Sequence, residues 1–175
     1  MRRLLMIFVL MALALPHTLH AQTPADYRQE FMLQFENSME KFIALAEAMP
    51  ADKFTWSPGK GVMEVGQVYM HVANYNYGYP SNNMGVPKPQ GIDLSTIEQV
   101  RDKASVIKAL KESAAYVRTN VQKMDAAQLA KKTQLYGREV PQWSVLLQLV
   151  SHMNEHLGQS IAYARMNGIV PPWSR

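Results

Sequence analysis

The chain of 175 residues contains no cysteine. Disulfides, thiolate nucleophiles and thiolate metal ligands are excluded, and so is acylation as a lipoprotein. Fold stability has to come from an apolar core, and a chain of this length can bury enough surface to supply one. A long hydrophobic run is missing too. The apolar stretch from Leu4 to Leu15 falls short of the roughly 20 residues that cross a bilayer. No run of lysine or arginine occurs, and no basic and aromatic residues interleave, which argues against a nucleic-acid partner. No His-Glu-x-x-His, Gly-x-Ser-x-Gly, Walker loop or Gly-x-Gly-x-x-Gly is present, so zinc-protease, serine-hydrolase, P-loop and dinucleotide-binding readings have no support.

What is present begins with an export signature. "MRRLLMIFVLMALALPHTLHAQ" opens on two arginines, continues through a short apolar run and ends at a small residue. That is the layout of a secretory signal peptide, residues 1–21, cut after Ala21. An uncleaved N-terminal anchor is the alternative. Export would place the mature chain, residues 22–175, in the periplasm or outside the cell, with no stable membrane insertion. Loss of Arg2 and Arg3, with no acid removed, takes the formal charge from +4 down by two to +2. The same cut removes His17 and His20, leaving His71, His152 and His156 as the histidines of the mature protein.

The mature chain reads as all-α, a four-helix bundle in a single domain. Tyr27, Phe31, Phe35, Met39, Phe42, Ala46 and Met49 recur at helical spacing and predict a helix over 25–48, stopped by Pro50. A second helix is expected over 63–77. "GYPSNNMGVPKPQG" then reads as a long irregular loop of the kind that often walls a site. A third helix is expected over 103–124 and a fourth over 142–167, ended by Gly168 and Pro171-Pro172. Only "LYGREV" hints at extended structure, and nothing argues for a sheet. Trp56 and Trp143 read as helix-end packing groups, and the methionines as core filler.

The chemistry concentrates in "SHMNEHLGQ". His152 and His156 are four residues apart, about 40° on a helical wheel and about 6 Å along the axis. Val145, Gln148, Leu149, Gln159 and Tyr163 share their side. An i,i+4 pair alone can be two metal ligands, two core residues or two surface groups. His71 changes the weighing, because it occupies a similar mixed strip on the second helix, with Glu64, Gln67, Val68, Tyr75 and Gly78. Bundle metal sites are built from such facing strips. Three imidazoles suit zinc, nickel or ferrous iron and leave coordination positions open, as catalytic sites do. Glu155 and Glu64 are candidates to orient ligands or move protons, and Gln159 and Tyr163 to contact substrate. The tyrosines of "YNYGY" are candidates for a pocket mouth. A non-catalytic metal- or small-ligand-binding bundle, and a bundle with three core histidines and no metal, remain open on the residues alone.

Two longer stretches carry a resemblance. "GVMEVGQVYMHVANYN" and "SHMNEHLGQSIAYARMNGIVPP", together with "FTWSPGKGVMEVGQV" and "SVIKALKESAAYVRTNV", resemble the DinB-like (DinB/YfiT-like) family of small four-helix metalloenzyme bundles. The likeness runs from about Asp26 to Trp173. It implies a divalent metal, zinc or nickel above all and iron as a further candidate, held by His71, His152 and His156. It also implies homodimerisation through the bundle and a small-molecule substrate. Characterised relatives include transferases and isomerases that use low-molecular-weight thiols. The signal peptide sets this chain apart from that chemistry, so the reading is an exported metal-dependent enzyme, hydrolase- or transferase-like, with Glu155 and Tyr163 as catalytic candidates.

Overall fold

Helix α1, Pro24–Ala48, is made by aromatic and aliphatic side chains at three- and four-residue steps. Phe35, Phe42 and Leu45 are wholly buried along it, and each such side chain contributes about 1.5–3 kcal/mol by leaving water. The computed structural model describes residues 24–174; the signal sequence expected over 1–21 lies outside the described residues.

Three more long helices complete the bundle: α2 (Val65–Asn83), α3 (Lys103–Val121) and α5 (Trp143–Met166), with a short α4 (Ala126–Ala130) between the last two. Helices α1 and α2 each pack against both α3 and α5. The four therefore form a ring in which α2 and α5 are neighbours, and these are the two helices that carry the histidines. The all-α four-helix bundle expected from the sequence is the one observed.

The helix ends show why the elements stop and start where they do. Asp102 accepts a hydrogen bond from the Ser105 amide at 2.9 Å, capping α3. At the end of α5, Gly168 has φ +73°, its amide donates to the Arg165 carbonyl at 3.0 Å, and the Ile169 amide donates to Ala164 at 2.9 Å. This is the left-handed glycine cap the sequence led one to expect. At the start of α2 the loop supplies the cap instead. The Gly66 amide donates to the Phe54 carbonyl at 2.8 Å, and a Cβ at position 66 would stand only 3.0 Å from that oxygen. Glycine is needed there for close approach, not for an unusual φ.

Two expectations are corrected. Helix α2 does not end at Tyr77. It runs on to Asn83, straight through Pro80. Proline removes one backbone donor, but Ser81 Oγ donates to the Tyr77 carbonyl at 2.8 Å, and the amides of Met84 and Val86 both donate to the Pro80 carbonyl at 3.1 Å. The extra turns put Gly78, Tyr79 and Asn82 on a helix where a loop was expected. The second correction is a two-stranded antiparallel hairpin, β1 (Lys132–Leu135) and β2 (Arg138–Pro141), with Leu135 opposite Arg138. Tyr136 and Gly137 turn it with φ +50° and +75°, the doubly positive pattern of a tight hairpin turn. Strands of four residues are too short to show a two-residue period in the sequence.

Candidate metal centre

His71 comes from the middle of α2, and His152 and His156 from the middle of α5, one turn apart. Their candidate ligand nitrogens all lie within 4.8 Å of one another. His152 Nε2 is 3.2 Å from His71 Nε2 and 3.2 Å from His156 Nε2. Nitrogens bound to one tetrahedral ion at about 2.0–2.1 Å stand about 3.3 Å apart. The sequence placed these three residues on two facing strips, and the structure brings them together.

The outer nitrogens explain which way the rings present their lone pairs. His71 Nδ1 is 2.8 Å from Glu98 Oε1. An ionised carboxylate only accepts, so Nδ1 carries the proton and Nε2 is left free inside the cluster. His156 Nδ1 is 2.8 Å from Gln159 Oε1, and Gln159 Nε2 donates to the Tyr163 hydroxyl at 2.8 Å. The amide must use its oxygen toward His156 if its nitrogen serves Tyr163, so His156 also turns a bare Nε2 inward. His152 is the middle ring. Burial, then the neighbouring His156 and His71, push its pKa down from 6.5 to about 4, and it is uncharged at neutral pH. Its Nδ1 is buried without a partner among the described residues. Three imidazoles with converging Nε2 atoms, the outer nitrogens of two of them held by Glu98 and Gln159, fit a divalent zinc, nickel or ferrous ion.

Glu98 was not anticipated. It sits on a single turn of 3₁₀ helix, Ile97–Gln99, inside the loop between α2 and α3. Asn74 Nδ2 donates to the same Oε1 at 2.7 Å. The Arg101 guanidinium donates to the Glu98 carbonyl and pairs with Glu64. Glu64, expected to serve the site directly, thus braces the backbone that presents Glu98. Only the Asn74 position, at the margin of the His71 strip, could have pointed to a partner there. Glu155 is exposed and has no hydrogen bond or ion pair among the described residues. Tyr163 is buried, edge-on to Trp56 with ring centres 5.5 Å apart, and connects to the centre through Gln159.

A family profile described as the DinB family matches residues 21–175. The chain belongs to the DinB family. Solved structures similar to this DinB-family chain include a DinB-like protein from Bacillus cereus, 16% identical, with a TM-score of 0.69 over 86% of this chain and 97% of that one. Another is a DinB-like protein from Bacillus subtilis, 17% identical, with a TM-score of 0.53 over 82% of this chain and 92% of that one. Likeness at this identity concerns the fold. No match is found among curated proteins.

Beside the three histidines of this DinB-family bundle lies a cleft of about 370 Å³, lined by Asn74, Tyr75, Gly78, Tyr79 and Tyr136 among others. Tyr75 is the shared wall. Its ring centre is 4.7 Å from that of His71 and 4.3 Å from that of His152. Of the residues singled out around the end of the second helix, Tyr75, Gly78 and Tyr79 line this cleft, whereas Tyr77 packs against Tyr116 with ring centres 5.2 Å apart.

Proposed function

We propose that this DinB-family protein is an exported metal-dependent enzyme, of hydrolase or transferase type, acting on a small molecule. The observation that carries the reading is the convergence of three Nε2 atoms, with the outer nitrogens of His71 and His156 held by Glu98 and Gln159. Zinc, nickel or iron bound there would supply Lewis-acid chemistry, polarising a substrate oxygen or acidifying a water. The chain's own residues do the rest. His71, His152 and His156 would hold the ion without adding charge, so that the site keeps its full electrophilic character. Glu98 keeps the proton of His71 on Nδ1, and Gln159 does the same for His156. Tyr163 acts through Gln159 and is a positioning residue in this reading. The cleft beside Tyr75 gives a substrate room next to the centre, and three protein ligands leave a coordination position for it. Export rests on the arginine-led apolar segment at residues 2–21.

The test is metal content. Mature protein purified without chelators is expected to carry close to one equivalent of metal. His71→Ala and His156→Ala are expected to carry under a tenth of that while keeping the helical circular dichroism of the wild type. Stoichiometric metal in His71→Ala would remove α2 from the site and sink the proposal.

A further inference from the structure

We infer that the cleft next to the histidines selects an uncharged aromatic ring with a polar hydrogen-bonding edge, the ring lying along α2 and a metal-seeking oxygen reaching the Nε2 cluster. This rests on the metal-dependent reading above and specifies its substrate class.

The argument starts from one strip of α2. His71, Tyr75, Gly78 and Asn82 succeed one another at helical steps of four, three and four, with Asn74 three residues from His71 and four from Gly78, so they share a face. From His71 to Gly78 the helix rises about 10 Å. A molecule lying along this strip from the metal ligands to the glycine would therefore be about that long, the size of a monocyclic aromatic compound with a short polar arm.

The wall chemistry narrows the class. Tyr75, Tyr79 and Tyr136 bring three rings to the cleft, and Tyr75 and Tyr79 pack with centres 5.0 Å apart at an interplanar angle of 51°. Rings so placed favour another flat ring, stacked or edge-on. Among the described residues, no Asp, Glu, Lys, Arg or His lines the cleft. Glu98, which meets the cleft residue Asn74, has its Oε1 engaged by His71 and Asn74. A charged ligand would leave water there without a counter-ion, which is costly. Polar contacts are available without charge. Asn74 Nδ2 spends both its N–H groups, on Glu98 at 2.7 Å and on the Leu94 carbonyl at 3.3 Å, so its Oδ1 would accept from an N–H or O–H on the ligand, while Asn83 gives one N–H to the Gln134 carbonyl at 2.6 Å and keeps its Oδ1 and a second N–H.

Gly78 provides the room. A Cβ built there meets Asn82 Nδ2 at 3.8 Å and Leu94 Cδ1 at 3.9 Å, ordinary contacts. The helix backbone tolerates a side chain at 78, but a large one would extend into the cleft.

Calorimetry with hydroxamates tests this on the zinc-loaded mature protein. Acetohydroxamate probes the metal alone; benzohydroxamate adds the ring; 4-carboxybenzohydroxamate adds a charge to the ring. Benzohydroxamate is expected to bind at least tenfold more tightly than acetohydroxamate, and 4-carboxybenzohydroxamate at least tenfold more weakly than benzohydroxamate. In Gly78→Leu, and in the less intrusive Tyr136→Ala, the ring's advantage is expected to shrink toward unity. Equal affinities of the benzo and aceto probes in wild type, or an unpenalised carboxylate, would overturn the aromatic assignment while leaving the metal site intact. If the protein holds no metal and binds neither probe, the metal reading fails. The cleft is then read with benzamide by saturation-transfer NMR: transfer from wild type but not from Gly78→Leu upholds the ring site, and no transfer from wild type overturns it.

Discussion

His71 Nδ1 and Glu98 Oε1 lie 2.8 Å apart, and this contact decides which nitrogen of His71 faces the other two histidines. Without it the imidazole is free to place its proton on Nε2, where it would block ligation. Carboxylate partners of this kind typically change metal affinity 10- to 100-fold. Glu98→Ala is therefore expected to weaken zinc or nickel binding by roughly that factor, measured by competition with a chromophoric chelator. Glu98→Gln keeps an acceptor oxygen and should fall between. Unchanged affinity in Glu98→Ala would show that the carboxylate is a loop tether only.

Metal removal should cost stability, because an ion that binds only the folded chain stabilises it by mass action. At a free concentration 100 times the dissociation constant the gain is about 2.7 kcal/mol. For a domain of this size that is roughly 5–10 °C in Tm. Chelation by EDTA is expected to lower the Tm of wild type by that order and to leave His71→Ala unmoved. A wild-type Tm indifferent to EDTA would mean that the three histidines serve the core.

The three histidines of the candidate site were legible in the sequence because helical spacing is local: four residues separate His152 from His156, and one mixed strip holds His71. Glu98 was not, since it is 27 residues from His71 in a loop without periodicity, and only the folding of that loop onto α2 creates the contact. The last turns of α2 were misread because Pro80 is a helix breaker by propensity. Here it falls close to the C-terminal end, where few hydrogen bonds remain to lose, and Ser81 covers a neighbouring carbonyl. The hairpin was hidden by its length. The bundle, in contrast, follows from the long apolar stripes of α1, α3 and α5, which tolerate an error of a turn at either end.

The core carries a polar atom whose removal should help. Tyr69 is fully buried, edge-on to Phe42 at 6.1 Å, and its hydroxyl has no partner among the described residues. Burial pushes its pKa well above the usual 10, so the group stays neutral and simply lacks a hydrogen bond. An unsatisfied buried group costs about 1–3 kcal/mol. Tyr69→Phe keeps the ring packing and removes the orphan. Its midpoint in urea is expected to stay level or rise, and a clear fall would reveal a hydrogen bond through an ordered water.

Tyr136 should show a trade between stability and binding. At φ +50° it is a non-glycine residue in left-handed backbone, a position that the hairpin turn prefers to fill with asparagine. Yet Tyr136 is 65% exposed, its hydroxyl meets that of Tyr79, and its ring walls the cleft. A large aromatic kept in strained backbone at a cleft mouth is where function outweighs local preference. Tyr136→Asn is accordingly expected to raise the Tm by about 1–4 °C, the equivalent of under 1 kcal/mol, while weakening benzohydroxamate binding to the zinc-loaded protein several-fold. Thermal unfolding and calorimetry on the same preparation check both halves. A variant that loses stability and keeps its affinity would show that the tyrosine pair holds the hairpin and takes no part in binding.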